Sequence, residues 1–186
     1  MSLLSKIILR STVALLSCIQ LSSYAAEAGF YTGLDLQYQQ LDITNDDAIK
    51  LDATSSLGLY VGYNFLHMIG VEIGFSEYDD FGSDDRTGLN IAVSRAFFGI
   101  NMQGELSKSF DAFAKIKASY TDFDIENNDE MIKGSKDFGW IYEVGTQWYI
   151  TEMLGLTAKV SYGESSFDSD FDYRDIAAGL GLQLNF

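Results

Sequence analysis

The residue types that carry most enzyme chemistry are scarce in this sequence. Among its 186 residues there is one histidine, His67, and one cysteine, Cys18. A serine–histidine–aspartate mechanism needs a histidine beside its nucleophile, and His67 falls in a short connection, where a solvated turn residue is the simpler interpretation. Carboxylates are abundant, but no pair of them stands out as a general acid and base. We therefore predict that the protein is not an enzyme.

Three aspartates near the carboxyl terminus have the spacing of a calcium-binding loop without its other residues. Asp168, Asp170 and Asp172 match the first ligands of an EF-hand. Tyr173 stands where that loop needs glycine, and Gly179 stands where it needs glutamate. The single cysteine also excludes a zinc site built from several thiolates. The sequence predicts neither a defined metal site nor a cofactor.

The charge and composition limit the class of protein. The chain has 27 acidic and 12 basic residues, a net charge of -15 and a pI near 4.2. This acidity argues against nucleic acid as a partner, because nucleic acid binds basic surfaces. A hydrophobic fraction of 47% excludes a disordered chain. With 17 glycines, no proline and 14% aromatic residues, the composition favours strands over helices.

Residues 1–25 predict an export signal. They hold no acidic residue, and Lys6 and Arg10 form a basic start that an apolar stretch follows. We expect cleavage after Ala25, with Ala28 as the alternative, which leaves residues 26–186 as one domain. The sequence around Cys18 loosely resembles a lipoprotein cleavage box. The simpler interpretation is an apolar signal residue that is removed, and lipidation of Cys18 is the alternative.

After the signal, hydrophobicity alternates with a period of two residues in eight segments. These segments cover residues 30–39, 56–65, 69–76, 95–102, 110–120, 140–149, 154–163 and 176–186. One face of each carries bulky aliphatic and aromatic side chains, and the other carries glycine, polar and charged residues. Leu89, Ile91 and Val93 have the opposite parity to the segment that follows them, which predicts a β-bulge near Ser94.

The connections between these segments alternate in length. Short ones lie near residues 66–68, 104–109 and 150–153, and long ones near 42–52, 77–90, 122–137 and 164–173. Aromatic residues cluster at the ends of the segments: Phe30, Tyr38, Phe65, Phe110, Tyr120, Trp140, Trp148 and Phe186. Two distinct rims and two aromatic girdles are typical of a barrel that crosses a membrane.

The size of the barrel decides which of its faces contacts water. Eight strands enclose just enough space for packed side chains, and the small polar face fits that interior better than the bulky apolar face. Strands of about 10 residues, at ~3.3 Å per residue and a ~40° tilt, match an apolar band of roughly 25 Å. We predict an all-β fold, an eight-stranded antiparallel up-and-down transmembrane β-barrel. The alternative, a water-soluble barrel of lipocalin type, needs nearly every strand turned the other way.

Three segments carry a resemblance to a known family: Val71–Phe75, Tyr142–Trp148 and the final Leu180–Phe186. With the signal and the eight alternating segments, they make residues 26–186 resemble the OmpA-type eight-stranded outer-membrane barrels, including the small attachment/invasion-type barrels. The resemblance implies export to the outer membrane of a Gram-negative bacterium. It also implies that the terminal Phe186 is recognised by the barrel-assembly machinery. The chain departs from full-length OmpA by ending at the eighth strand, so we expect no peptidoglycan-binding domain.

Seven charged side chains point into the barrel by parity. They are Asp35, Glu72, Arg95, Lys115, Lys117, Glu143 and Lys159. Because buried charges must be paired, we expect Glu72 beside Arg95, and Glu143 between Lys159 and one of the other two lysines. One interpretation is a structural ion-pair network that plugs the lumen. The other is a gate that opens a narrow channel when the pairs switch partners.

Most of the acidic residues fall in the long connections, where basic residues are few. A solvated, self-repelling surface is one interpretation; binding of divalent cations that bridge to lipopolysaccharide phosphates is the other. Adhesion to polyanions such as heparin is disfavoured. We predict a monomeric outer-membrane protein with a structural or surface-interaction role, or alternatively a narrow, gated, porin-like channel for ions or small solutes.

Overall fold

The computed structural model describes residues 29–44, 49–50, 53–66, 68–81, 89–127, 130–167 and 171–186. The predicted export signal, its cleavage site, Cys18 and His67 lie outside these ranges. Over the described ranges, no helix has the length and apolarity that crossing a membrane requires.

Within these ranges the chain folds into strands alone. They are β1 (Gly29–Thr44), β2 (Ile49–Lys50), β3 (Thr54–Leu66), β4 (Ile69–Phe81), β5 (Leu89–Ser107), β6 (Phe110–Asn127), β7 (Glu130–Tyr149), β8 (Leu154–Phe167) and β9 (Phe171–Asn185). The short β2 folds back on β1, and the other eight strands pair antiparallel in chain order. Pairing of β1 with β9 closes the sheet. The predicted eight-stranded antiparallel barrel is confirmed.

The stagger of the barrel follows from its register. A line of paired residues that leaves β1 at Tyr31 passes Glu72 on β4 and Lys117 on β6, and returns to β1 at Leu41. Such a stagger tilts eight strands by about 40° and leaves an interior just wide enough for side chains. Residues far apart in sequence on different strands are therefore brought to one level inside the barrel.

The two faces are oriented as the alternation predicts. Leu34, Ile73 and Leu180 are among many large apolar side chains on the outer face that are about half exposed or more, whereas the polar side chains of the alternate positions are buried. Phe110 stacks on Trp148 near the short turns, with ring centroids 6.0 Å apart. Tyr120 lies about 25 Å from Phe110 along the barrel axis, at ~3.3 Å per residue and a ~40° tilt. An apolar band of that height matches the hydrocarbon layer.

The connections differ at the two ends of the barrel. Short turns after Leu66, Ser107 and Tyr149 lie where they were predicted. The long connections are shorter than predicted, because β6 continues to Asn127 and β7 begins at Glu130. Beyond the apolar band the outer face of a strand contacts water, so the bulky apolar face that identified the strands ends while the backbone pairing continues.

The predicted bulge near Ser94 is wrong. The β5–β6 register runs without a shift from Leu89 to Glu105, and Val93 points inward with 4% of its surface exposed. The irregularity lies instead on β4, between Tyr78 and Phe81. Val93 lies on the long-connection side of the apolar band. Its side chain fills the barrel interior instead of facing lipid.

Candidate functional site

Six charged side chains meet at one level of the lumen and form what we name the ion layer: Asp35, Glu72, Lys115, Lys117, Glu143 and Lys159. Three are acids and three are lysines, so the layer is formally neutral. Each of the six has 6% or less of its surface exposed. The strands β1, β4, β6, β7 and β8 supply them, so the layer crosses the barrel from wall to wall.

Every lysine of the ion layer contacts two carboxylates. Lys115 Nζ lies 2.6 Å from Glu72 Oε2 and 3.6 Å from Glu143 Oε1. Lys117 Nζ lies 3.0 Å from Glu72 and 3.2 Å from Glu143. Lys159 lies 3.0 Å from Glu143 and donates a hydrogen bond to Asp35. Within the ion layer, Glu143 is the carboxylate that contacts all three lysines, whereas its predicted position had it beside Lys159 and one of the other two.

Arg95 is not where the sequence argument placed it. The register sets Arg95 opposite Ser76 and Glu72 opposite Gly99, so the expected Glu72–Arg95 pair is wrong. Arg95 instead forms an ion pair with Asp175 at 3.4 Å and donates a hydrogen bond to Thr121 Oγ1 at 3.1 Å. We name Arg95 and Asp175 the outer pair, since they lie on the long-connection side of the ion layer. Extending the last segment, 176–186, by one residue would have found Asp175.

Aromatic rings lie beside two lysines of the ion layer, Lys115 and Lys117. Lys117 Nζ lies 4.3 Å from the centre of the Phe97 ring, and Lys115 Nζ lies 4.9 Å from that of Tyr60. The Tyr31 hydroxyl donates a hydrogen bond to Glu72 Oε2 at 3.2 Å. Cation–π contacts and hydrogen bonds of this kind stabilise charges that have lost their water.

Each of these inward rings lies against a glycine on the neighbouring strand. Tyr31 is paired with Gly62 and Tyr60 with Gly33; Phe97 is paired with Gly74, and Phe113 with Gly145. A Cβ added to Gly62 would lie 2.1 Å from Tyr31 Cζ. The interior glycines therefore provide the volume that the rings occupy.

We expect Gly62→Ala to destabilise the barrel by about 1–3 kcal/mol, the usual cost of overpacking a filled interior. The new methyl group would displace the Tyr31 ring and break its hydrogen bond to Glu72. Equilibrium urea unfolding in lipid vesicles measures the change. Gly58→Ala, on the same face of β3, is the control, because the nearest atom to its Cβ is a serine hydroxyl oxygen at 3.0 Å. Equal losses in the two variants would contradict this packing argument.

Little space is left between the ion layer and the outer pair. Gln37, Ser76 and Ser161 help to line a cavity of about 20 Å³ there, which is room for a single water molecule. Among the residues that the structure describes, no group of three or more histidine, cysteine, aspartate or glutamate side chains is arranged to hold a metal. The arrangement holds buried charges of opposite sign together.

The terminal residue lies at the seam that closes the barrel. The Phe186 amide donates a hydrogen bond to the Phe30 carbonyl at 2.8 Å. Its ring is 70% exposed on the outer surface. The Phe186 ring, which the resemblance assigns to recognition during assembly, is therefore exposed at the short-turn rim.

Comparison with known proteins agrees with this architecture. The chain matches the family described as outer membrane protein beta-barrel domain over residues 11–183, so it belongs to the outer-membrane β-barrel proteins. The family implies residence in the outer membrane of a Gram-negative bacterium. No curated protein matches the chain in sequence.

Solved structures share the fold at low sequence identity. Neisserial surface protein A is 12% identical with a TM-score of 0.69, over 88% of this chain and all of that one. Ail of Yersinia pestis is 12% identical with a TM-score of 0.55, over 83% and 98% of the two chains. The N-terminal barrel of Pseudomonas aeruginosa OprF is 12% identical with a TM-score of 0.55, over 82% and 97%. The resemblance to small outer-membrane barrels is thereby confirmed.

Proposed function

We propose that this protein is a structural and surface-interaction barrel whose lumen is closed by the ion layer. The observation that carries the proposal is a neutral set of six buried charges that spans the interior. Opening a path for solutes would separate several ion pairs at once in a low-dielectric interior. Breaking one buried pair costs about 3–5 kcal/mol, so the closed state dominates.

A gated channel is the second candidate, and one feature of the ion layer favours it. Lys115 and Lys117 each lie within 3.6 Å of both Glu72 and Glu143. A lysine can therefore change its main partner without becoming unpaired. If such exchanges moved side chains away from the barrel axis, they would open a narrow path.

Planar-bilayer recording separates the two candidates. For the closed barrel we expect no steady current and only rare, brief openings at any applied voltage. The control is the same membrane with a preparation of heat-unfolded protein. Long-lived, regular conductance steps from the native barrel would favour the channel and overturn the structural role.

We further propose that the outer surface binds polyanions only through divalent cations. Exposed carboxylates at the outer rim include Glu77, Asp79 and Glu164. Ail has been solved in complex with the heparin analogue sucrose octasulfate, and the net charge of -15 here opposes such a ligand. Divalent cations that link these carboxylates to lipopolysaccharide phosphates provide the contact with the outer leaflet. Calorimetric titration should give more heat with calcium in lipopolysaccharide membranes that contain the barrel than in the same membranes without it, and none with sucrose octasulfate.

The remaining partners follow from the same architecture. The exposed Phe186 ring supports recognition by the barrel-assembly machinery. We propose that lipid covers the whole apolar outer face, so the barrel is a monomer. We also propose that the barrel has no enzymatic activity. A monomer mass by native mass spectrometry from lipid nanodiscs would support this assignment.

A further inference from the structure

Asp35 and Lys159 form an ion pair between two strands that are not neighbours. Asp35 lies on β1 and Lys159 on β8, with β9 between them. Asp35 is paired with Gly181 of β9, and Lys159 is paired with Gly179. Lys159 Nζ donates a hydrogen bond to Asp35 Oδ2. The ion pair therefore passes over the inner side of β9, the strand whose pairing with β1 closes the barrel.

Two glycines leave room for this contact on the inner side of β9. A Cβ added to Gly181 would lie 2.5 Å from Asp35 Oδ1, and one added to Gly179 would lie 3.4 Å from Lys159 Cε. The first distance is well below the about 3.5 Å at which non-bonded atoms attract each other. A side chain at position 181 would therefore displace the Asp35 carboxylate.

A second contact crosses the seam between β1 and β9 from the other side. Tyr60 of β3 is paired with Gly33 of β1, and Gly33 is paired with Gln183 of β9. The Tyr60 hydroxyl donates a hydrogen bond to Gln183 Oε1 at 3.2 Å. A Cβ added to Gly33 would lie 2.3 Å from Tyr60 Cζ, so this contact also depends on a glycine in the strand that it crosses.

These two contacts require a closed barrel, whereas other ion pairs of the ion layer do not. In an open sheet β1 and β8 would lie near opposite edges, and Asp35 and Lys159 are 124 residues apart in the sequence. By contrast, Glu72 of β4 and Lys117 of β6 are both paired with Gly99 of β5 and lie 3.0 Å apart. Three consecutive strands supply that pair, so it persists when the seam opens.

We propose that the Asp35–Lys159 and Tyr60–Gln183 contacts form a seam latch, which holds β1 against β9 and opposes their separation in the membrane. An open seam would leave two strand edges without hydrogen-bond partners in hydrocarbon. Backbone hydrogen bonds join β1 to β9, and the latch adds an ion pair and a hydrogen bond that are lost whenever the two strands part. The latch does not depend on whether the lumen conducts.

Amide hydrogen exchange measures the opening of the seam separately from the opening of other strands. We would compare Asp35→Asn with Glu72→Gln in lipid nanodiscs and follow peptides of each strand by mass spectrometry. Each variant removes one carboxylate from the ion layer and keeps the shape of the side chain. The unsubstituted protein gives the reference rates.

We expect Asp35→Asn to speed exchange in peptides of β1 and β9 about tenfold or more, because removing one partner of a buried ion pair favours the open seam. Glu72→Gln should act instead on peptides of β4, β5 and β6 and leave the seam near its reference rate. Equal acceleration of the seam by both variants, or of all strands by Asp35→Asn, would overturn the latch. Unchanged exchange of β1 and β9 in Asp35→Asn would overturn it as well.

Tyr60→Phe tests the latch with every buried charge in place, because it removes only the hydroxyl group that reaches Gln183. Tyr31→Phe is the matched control, since the Tyr31 hydroxyl bonds Glu72 on β4 and does not cross the seam. Tyr60→Phe should speed exchange in peptides of β1 and β9 about fivefold, the effect of one hydrogen bond. Equal exchange of the seam in the two tyrosine variants would contradict the latch.

Discussion

Replacing Glu143 with alanine should destabilise the barrel by about 3–5 kcal/mol, the cost of removing one partner from a buried ion network. Glu143 contacts Lys115, Lys117 and Lys159. Its loss leaves three lysines facing two carboxylates, so one positive charge has no compensation in the interior. That charge must attract water or an anion, and the ion layer loosens around it.

Two measurements test the effect of Glu143→Ala. The urea midpoint in phospholipid vesicles should fall, and the open probability in planar bilayers should rise. Asp122→Ala is the matched control, because Asp122 also pairs with a lysine at 3.0 Å, but on the surface, where the Lys136 side chain is 61% exposed. Exposed pairs contribute about 0–1 kcal/mol, so this variant should unfold and conduct almost as the natural protein does.

The ion layer itself supplies a second test of Glu143→Ala. Adding Lys117→Met removes one of the lysines that Glu143 neutralised and restores equal charge. We expect the double variant to recover part of the lost stability, since contacting residues are coupled. If Glu143→Ala left both the unfolding midpoint and the conductance unchanged, the buried charges would not be what closes the lumen.

The period-two pattern was sufficient to predict the barrel and the direction of nearly every side chain in the apolar band. This works because lipid and a narrow interior impose opposite demands on successive residues, as Leu34 and Asp35 show on β1. Above the band the outer face contacts water, so bulky apolar residues no longer mark it, and the apolar Val93 points inward instead. The extensions of β6 and β7 therefore resembled loops in the sequence, although their backbones remain paired.

Pairing inside the lumen could not be read from single strands. Glu72 and Arg95 lie on neighbouring strands, but the barrel's stagger puts Arg95 closer to the outer rim, where Asp175 of β9 reaches it. The glycine partners of the inward rings depend on register in the same way. Parity gives the direction of a side chain, whereas its height depends on the tilt of all eight strands together.

A charge placed in the middle of the outer face should be almost as costly as a broken ion layer. Leu180 is 67% exposed and lies about midway along the apolar part of β9, between Ile176 and Phe186. Arginine at the midplane of a lipid-facing barrel strand costs about 2–4 kcal/mol, because its guanidinium loses water that hydrocarbon cannot replace. We expect Leu180→Arg to lower the stability of the vesicle-inserted barrel by that amount, measured by urea unfolding.

The cost of an arginine on the outer face depends on its depth in the bilayer. Ile176→Arg introduces the same charge on the same face of β9, about 10 Å nearer the outer rim at ~3.3 Å per residue and a ~40° tilt. Near the interface the cost falls to about 0–1 kcal/mol, since the side chain reaches water. A water-soluble barrel would show no such gradient, because both positions would already be solvated. Equal stability of the two arginine variants would therefore contradict the lipid-facing assignment of this surface and favour an aqueous environment around it.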